Sequence, residues 1–397
     1  MSAVNPIARL QATNPEMEIW FDSSPLVFED WLKATLPTIP SAAELFKLEP
    51  APTGGVRFAV GSLLQGVTTN QPLTWQVLEK HPAPWRAWLE AEARKTPGLP
   101  VQEAMWRLFI EIAARGAAMV WPLADANRFR CGQICCQVDP RDMTNLDAML
   151  VQARRIHAAA PNIMVKLPGT KEGVDAVRIL AAEGVPTNVT LGFTVPQLVA
   201  VGEAAKAGLV EAHRRGTNLR YWRSCAVMML GRYEDHPLLQ AQAKERGITL
   251  SVADLRWAGI AIFRKAHQLY RERGYPTKLM AASMRVGPTV DGVMRVWHLE
   301  KLAGANAVLT VFPNILEGFL MTYGTAPLPS QIDAPIPADV MERLMRIPYF
   351  SEAYDEGGMT PEQFVAHPAL QVTAASFAES MVKIEAFAAD VLKGTKV

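Results

Sequence analysis

One lysine in this chain sits where a lysine is costly. In MVKLPGT, residues 164–170, Lys166 closes an apolar run and a Pro-Gly turn follows at once. A lysine held among apolar neighbours loses hydration and must be paired, neutralised or used, whereas one that belongs to the turn is simply solvated. Other polar residues stand at comparable places, at the ends of short apolar runs. Asp22 ends EIWFD; Thr68, Thr69 and Asn70 end GVTTN; Gln137 ends ICCQV. Asn188 and Thr190 lie in TNVTL, Arg232 follows CAVMMLG, and Ser283 and Arg285 close KLMAASMR.

A lysine ringed by one carboxylate and several neutral hydrogen-bonding groups is what imine chemistry needs. The amine must be neutral to attack a carbonyl, and desolvation or a nearby cation lowers its pKa by several units from about 10.4. A carboxylate such as Asp22 can take the proton of a substrate hydroxyl as a carbon–carbon bond breaks, and return it in the reverse direction. Asn and Thr side chains hold hydroxyls without adding charge, and two arginines suit a phosphate. Plainer uses exist for the same residues. Asp22 can cap the SSP turn behind it, Arg232 can pair with Glu234 or Asp235, and Gln137 can be a hydrogen-bonded core residue.

Such residues meet only if strands deliver them to one place. Eight β-like runs alternate with amphipathic helical stretches up to about residue 325: EIWFD, GVTTN, ICCQV, IMVKL, TNVTL, CAVMML, KLMAAS and AVLTV. Eight units predict an α/β fold of the (β/α)8 TIM-barrel type, whose C-terminal strand ends share one site. Between the runs, Leu146, Met149, Leu150, Ala153 and Ile156 follow helical spacing behind Thr144 as cap, and Val174, Val177, Leu180 and Ala181 repeat it. We assign residues 1–326 to the catalytic barrel, with the Pro- and Gly-rich stretch 23–65 as an insertion after the first strand. Residues 327–397 read as a linker, 327–340, and a C-terminal extension whose helices, around MERLMRI, TPEQFVAH and SFAESMVKIEAFAADVL, close over one end of the barrel.

Whole-chain properties narrow the function further. The 397 residues carry 40 Lys and Arg against 39 Asp and Glu, so no overall field exists to hold nucleic acid or an anionic membrane. Apolar stretches such as GAAMVWPLA fall short of the roughly 20 residues that span a bilayer, and MSAVNPIARLQATNPEME lacks a signal pattern. We expect a cytoplasmic protein acting on small molecules, with a homo-oligomer left open. Cys131, Cys135, Cys136 and Cys225 fit neither a metal knuckle nor a disulfide framework and read as buried thiols. The seven histidines are scattered, so neither a metal nor a cofactor is inferred.

The segments IWFD, GVTTN, CQVDPRD, NIMVKLPGTKEGVDAVRILAAEGVPTNVTLGFTVPQ and KLMAASMR, in this order, resemble the transaldolase family, class I aldolases that use a Schiff-base lysine on a (β/α)8 barrel. The resemblance runs from about residue 17 to 320. It implies that Lys166 forms the imine, that Asp22 transfers the proton, and that Asn70, Asn188 and Thr190, beside Thr69, hold hydroxyls and water. Arg232, Arg285 and Ser283 become the phosphate site. Departures are equally specific. Gln137 stands where transaldolases carry a glutamate that works through a water, and it cannot ionise. Related fructose-6-phosphate aldolases have glutamine there, but with a tyrosine where this chain has Met229. Val227 replaces the usual serine five residues before Arg232. The resemblance implies an enzyme of carbohydrate metabolism of the pentose-phosphate type. Such an enzyme forms an imine with a ketose phosphate, cleaves C3–C4 and transfers a dihydroxyacetone unit to an aldehyde. Gln137 keeps open a lyase that releases free dihydroxyacetone. A non-catalytic sugar-phosphate-binding relative is the alternative of another class.

Overall fold

Each of the eight runs contributes to a strand, GVTTN only through Gly66 and Val67, since the strand there is Leu64–Val67. The computed structural model describes residues 4–52 and 54–394. In it β1 (Glu18–Phe21), β4 (Leu64–Val67), β5 (Ile134–Gln137), β6 (Ile163–Pro168), β7 (Thr187–Gly192), β8 (Ser224–Met229), β9 (Lys278–Ala282) and β12 (Ala307–Val311) close into a parallel barrel, in the order β1-β12-β9-β8-β7-β6-β5-β4. With the helices that surround it, this is the (β/α)8 architecture. Two short antiparallel hairpins stand outside the barrel: β2 (Leu48–Pro50) with β3 (Val56–Phe58), and β10 (Thr289–Val290) with β11 (Val293–Met294).

Strands covered on both faces read as unbroken apolar runs, and every residue of β5, β6, β7 and β8 is buried. A polar residue inside such a strand therefore needs a partner or a use. Register lines several of them up. Gln137 of β5 pairs with Lys166 of β6, which pairs with Asn188 of β7, which pairs with Cys225 of β8. The four cysteines are buried and unpaired.

Helix caps fix where the outer layer begins. The helix Lys171–Ala182 starts on Thr170, whose hydroxyl accepts from the Gly173 N–H. The helix Leu146–His157 is capped by Asn145, which accepts from the Ala148 N–H, and not by Thr144. Asn145 wins because it is the residue directly before the first helical one, and its side chain is long enough to reach back.

Between β1 and β4 the chain folds around aromatic rings. Phe28 and Phe46 each lie about 5 Å from Phe58, and Phe46 reaches Phe21 of β1 at 5.8 Å. At the other end, helix Ala338–Met345 begins inside the stretch read as linker, and Pro361–Ala366 is a 3-10 turn where an α-helix was expected. The last helix, Pro368–Gly394, starts well before Ser376. It packs across the helices Gln71–Lys80 and Val101–Ala126 and touches β7. Arg86–Asp390 at 2.6 Å and Arg141–Glu385 at 3.1 Å tie it down at its outer side. Among the described residues no helix is long and apolar enough to cross a membrane.

Candidate active site

The C-terminal strand ends surround a small cavity of about 40 Å³. Asp22, just past β1, lines it with Thr68 and Asn70 after β4, Lys166 of β6, Thr190 of β7, Arg232 after β8, Ser283 after β9 and Thr310 of β12. Val227, Met229, Met280 and Ala282 fill the same wall at every second strand position, the period that turns side chains inward. Phe312 and Phe377 complete it.

Lys166 is 6 % exposed, and its Nζ donates to the Thr69 carbonyl at 3.1 Å. Burial pushes its pKa down, and the nearby Arg232 adds to that, while Cys135 and Asp22 pull the other way. Asp22 is buried as well. Its Oδ1 accepts from the Thr68 hydroxyl at 2.8 Å, and the Thr68 and Thr310 hydroxyls share a 2.5 Å hydrogen bond. Burial raises the Asp22 pKa to about 6, against the attraction of Lys166 and the Thr68 hydrogen bond. Loss of water therefore outweighs mutual attraction for both partners, and each moves toward its neutral form. An amine eased toward neutrality beside a carboxyl that titrates near neutral pH is a nucleophile with an acid–base partner. The thiols offer no rival: burial raises the pKa of Cys135 to about 12 and that of Cys225 to about 11.

The remaining residues singled out from the sequence divide into three kinds. Asn70 lines the cavity and also caps the helix Gln71–Lys80, its Oδ1 accepting from the Leu73 N–H at 2.9 Å. Thr69 faces elsewhere, donating to the Cys135 carbonyl at 2.5 Å, so only its main chain serves Lys166. Gln137 and Asn188 flank Lys166 in register but are outside the cavity lining, and both are buried. Gln137 Oε1 and Asn188 Oδ1 have no hydrogen-bond partner. The nearest partners of the Asn188 amide and the Thr190 hydroxyl are thioethers, Met280 Sδ at 3.4 Å and Met229 Sδ at 3.7 Å.

The two arginines are arranged differently from each other. Arg232 stacks on the Phe377 ring, 5.5 Å from its centroid, and no protein acceptor bonds its guanidinium among the described residues. Burial lowers its pKa, and Arg285 lowers it further. Arg285 lies outside the lining and pairs with Asp235 at 2.8 Å. The ion pair considered for Arg232 with Glu234 or Asp235 is thus not formed; Arg285 takes Asp235. Ser283 has a left-handed backbone, φ 58°, and Arg285 Nη1 donates to its carbonyl at 3.0 Å. Five lining residues were missed: Met280, Ala282, Thr310, Phe312 and Phe377. Thr310 had a signal, a hydroxyl inside the apolar run AVLTV. Phe377 had none, because only tertiary packing brings the last helix over the barrel.

Comparison with known proteins points to one family. The family model described as Transaldolase/Fructose-6-phosphate aldolase matches residues 52–387. A transaldolase of Arthrobacter sp. (strain FB24) is 28% identical over 209 residues, 52% of this chain and 55% of the relative. A transaldolase of Thiobacillus denitrificans is 31% identical over 156 residues, 39% of this chain and 43% of the relative. Transaldolase 2 of Streptomyces avermitilis is 28% identical over 208 residues, 52% of this chain and 54% of the relative. The chain thus spans about half the length of the curated relatives it matches.

Proposed function

The chain belongs to the transaldolase/fructose-6-phosphate aldolase family, and from that membership we propose a transaldolase-like enzyme acting on a ketose phosphate through an imine at Lys166. One observation carries this reading: a buried lysine, its pKa lowered, shares a small cavity with a buried aspartate whose pKa is raised to about 6. Lys166 Nζ attacks the C2 carbonyl, and water leaves to give the protonated imine. Asp22 takes the proton of the C4 hydroxyl as the C3–C4 bond breaks, and the electron pair flows through C3 to the imine nitrogen. The aldehyde departs. In transfer, C3 of the enamine attacks an acceptor aldehyde, Asp22 returns the proton to the new hydroxyl, and hydrolysis frees Lys166. The unpartnered oxygens of Gln137 and Asn188 are suited to a water or a substrate hydroxyl, since buried acceptors call for donors. Asn70 and Thr190 hold further hydroxyls. Arg232, with its unused guanidinium donors, takes the phosphate together with Ser283 and Arg285. The enzyme works on small molecules in the cytoplasm.

Gln137 supports a second reading, a lyase that protonates C3 and releases dihydroxyacetone, because glutamine cannot serve as the acid–base group that transfer uses. A panel of ketose phosphates with and without acceptor aldehydes separates the two. Transfer predicts new sugar phosphate only when acceptor is present; the lyase releases free dihydroxyacetone without one. Absence of both products supports the non-catalytic sugar-phosphate-binding alternative.

A further inference from the structure

Behind the two arginines runs a buried polar chain that no step of the proposed reaction uses. Glu234 and His298 are both 0 % exposed, and Arg256 is 7 % exposed. Glu234 Oε2 accepts from Arg256, and Glu234 Oε1 lies 2.8 Å from His298 Nε2. On its other side His298 Nδ1 accepts the backbone N–H of Arg285 at 2.9 Å. This order fixes the tautomer. A backbone N–H can only donate, so Nδ1 bears no proton, and the ring is neutral with its proton on Nε2, directed at Glu234.

The same place is tightened from the β8 side. The Gly231 N–H donates to the Ser283 carbonyl at 2.9 Å. A Cβ at Gly231 would lie 2.3 Å from that carbonyl and 2.8 Å from the Arg285 side chain, so residue 231 has room only for glycine. The short helix Leu230–Glu234, which bears Arg232, and the loop from Ser283 to Arg285 are therefore locked together, and the network grips the second at two neighbouring main-chain points: His298 at the Arg285 N–H, and Arg256 at the Val286 carbonyl, 3.3 Å away. A neutral ring is the right tool. It supplies an acceptor for the Arg285 N–H without adding a charge of its own beside the Arg285–Asp235 pair.

We propose that His298, oriented by Glu234 and Arg256, is a positioning residue that holds Ser283, Arg285 and Arg232 as a preformed cradle for the donor's phosphate. This rests on the phosphate assignment proposed above, and Arg285→Ala tests that assignment separately. The longer His298→Gln places its amide near the position of Nε2, where it can donate toward Glu234 but falls away from the Arg285 N–H; the shorter His298→Asn places its amide oxygen near the position of Nδ1, where it can accept from Arg285. His298→Gln should raise KM for a ketose phosphate about tenfold, with a far smaller change for the unphosphorylated ketose and in kcat, and His298→Asn should recover most of that loss. If Arg285→Ala weakens phosphorylated and unphosphorylated donors equally, the phosphate assignment fails. If Arg285→Ala discriminates but His298→Gln affects both donors alike, or neither, the positioning role is overturned. Should the variants not fold, the unaltered protein decides. Titration with inorganic phosphate should shift the Arg285 amide and the His298 Nδ1 resonance with one midpoint, and an unmoved His298 contradicts the proposal.

Discussion

Glu18 and Asp22 bracket β1, both are buried, and the protein treats them in opposite ways. Glu18, at the N-terminal end of the barrel, meets Arg223 at 2.5 Å and Lys278 at 2.7 Å, and accepts from the Trp20 indole at 3.0 Å. Burial pushes its pKa up, but the two cations outweigh that and hold it below the ordinary carboxylate range. Asp22, at the C-terminal end, faces Lys166 and one threonine hydroxyl, and burial wins. One end of the barrel is closed by charges that satisfy one another. The other keeps charges short of partners, which is how a site holds a reactive amine and a carboxyl that titrates near neutral pH.

Exchanging the charge at each end should separate the two roles. Asp22→Asn should depress kcat by roughly 10²–10⁴, the usual scale for losing general acid–base help, while the protein stays folded. Turnover within a few-fold of the parent would remove Asp22 from the chemistry. Glu18→Gln should do the reverse. Leaving Arg223 and Lys278 without their carboxylate should cost roughly 3–5 kcal/mol of unfolding free energy, read by urea denaturation, with kcat per folded molecule retained.

Stability against pH sharpens the contrast. Folded Asp22 titrates at about 6 instead of 3.8, so it holds its proton more tightly when folded. The stability it lends is full below pH 4 and is lost as pH rises to about 6, roughly 3 kcal/mol in all. Asp22→Asn should therefore melt above the parent at pH 7.5, and the difference should vanish below pH 4. Glu18, with its lowered pKa, runs the other way: its contribution is present above the ordinary carboxylate pKa and is lost as pH falls through the folded value. A Glu18→Gln deficit that grows on acidification would contradict this.

The smallest effect lies between these extremes, at Gln137 beside Lys166. Gln137→Glu places an ionisable group next to the imine lysine. The ratio of transfer to dihydroxyacetone release should change, and the pH profile of kcat should gain a second ionisation. An unchanged ratio and profile would show that residue 137 takes no part in proton handling.

Much of this was legible in the sequence because apolar strands make their exceptions visible. Lys166 and Gln137 interrupt runs that are otherwise apolar, Asn188 stands with two threonines in TNVTL, and the strand alternation told where such residues gather. Pairings between distant segments were not legible. The ring of Phe377 on Arg232, the capture of Arg285 by Asp235, and the chain from Glu234 through His298 depend on how loops and the last helix pack, for which no local spacing rule exists. Asn70 shows a third case: the sequence offered it only as a hydroxyl ligand, and it caps a helix while lining the cavity.

The central claim is an imine at Lys166, and reductive trapping tests it directly. Borohydride added in the presence of dihydroxyacetone or a ketose phosphate should fix a three-carbon or sugar adduct on the peptide containing Lys166. Asp22→Asn should still be trapped, since carbonyl attack precedes bond cleavage. An adduct on a different lysine, or none from either substrate, would contradict the account.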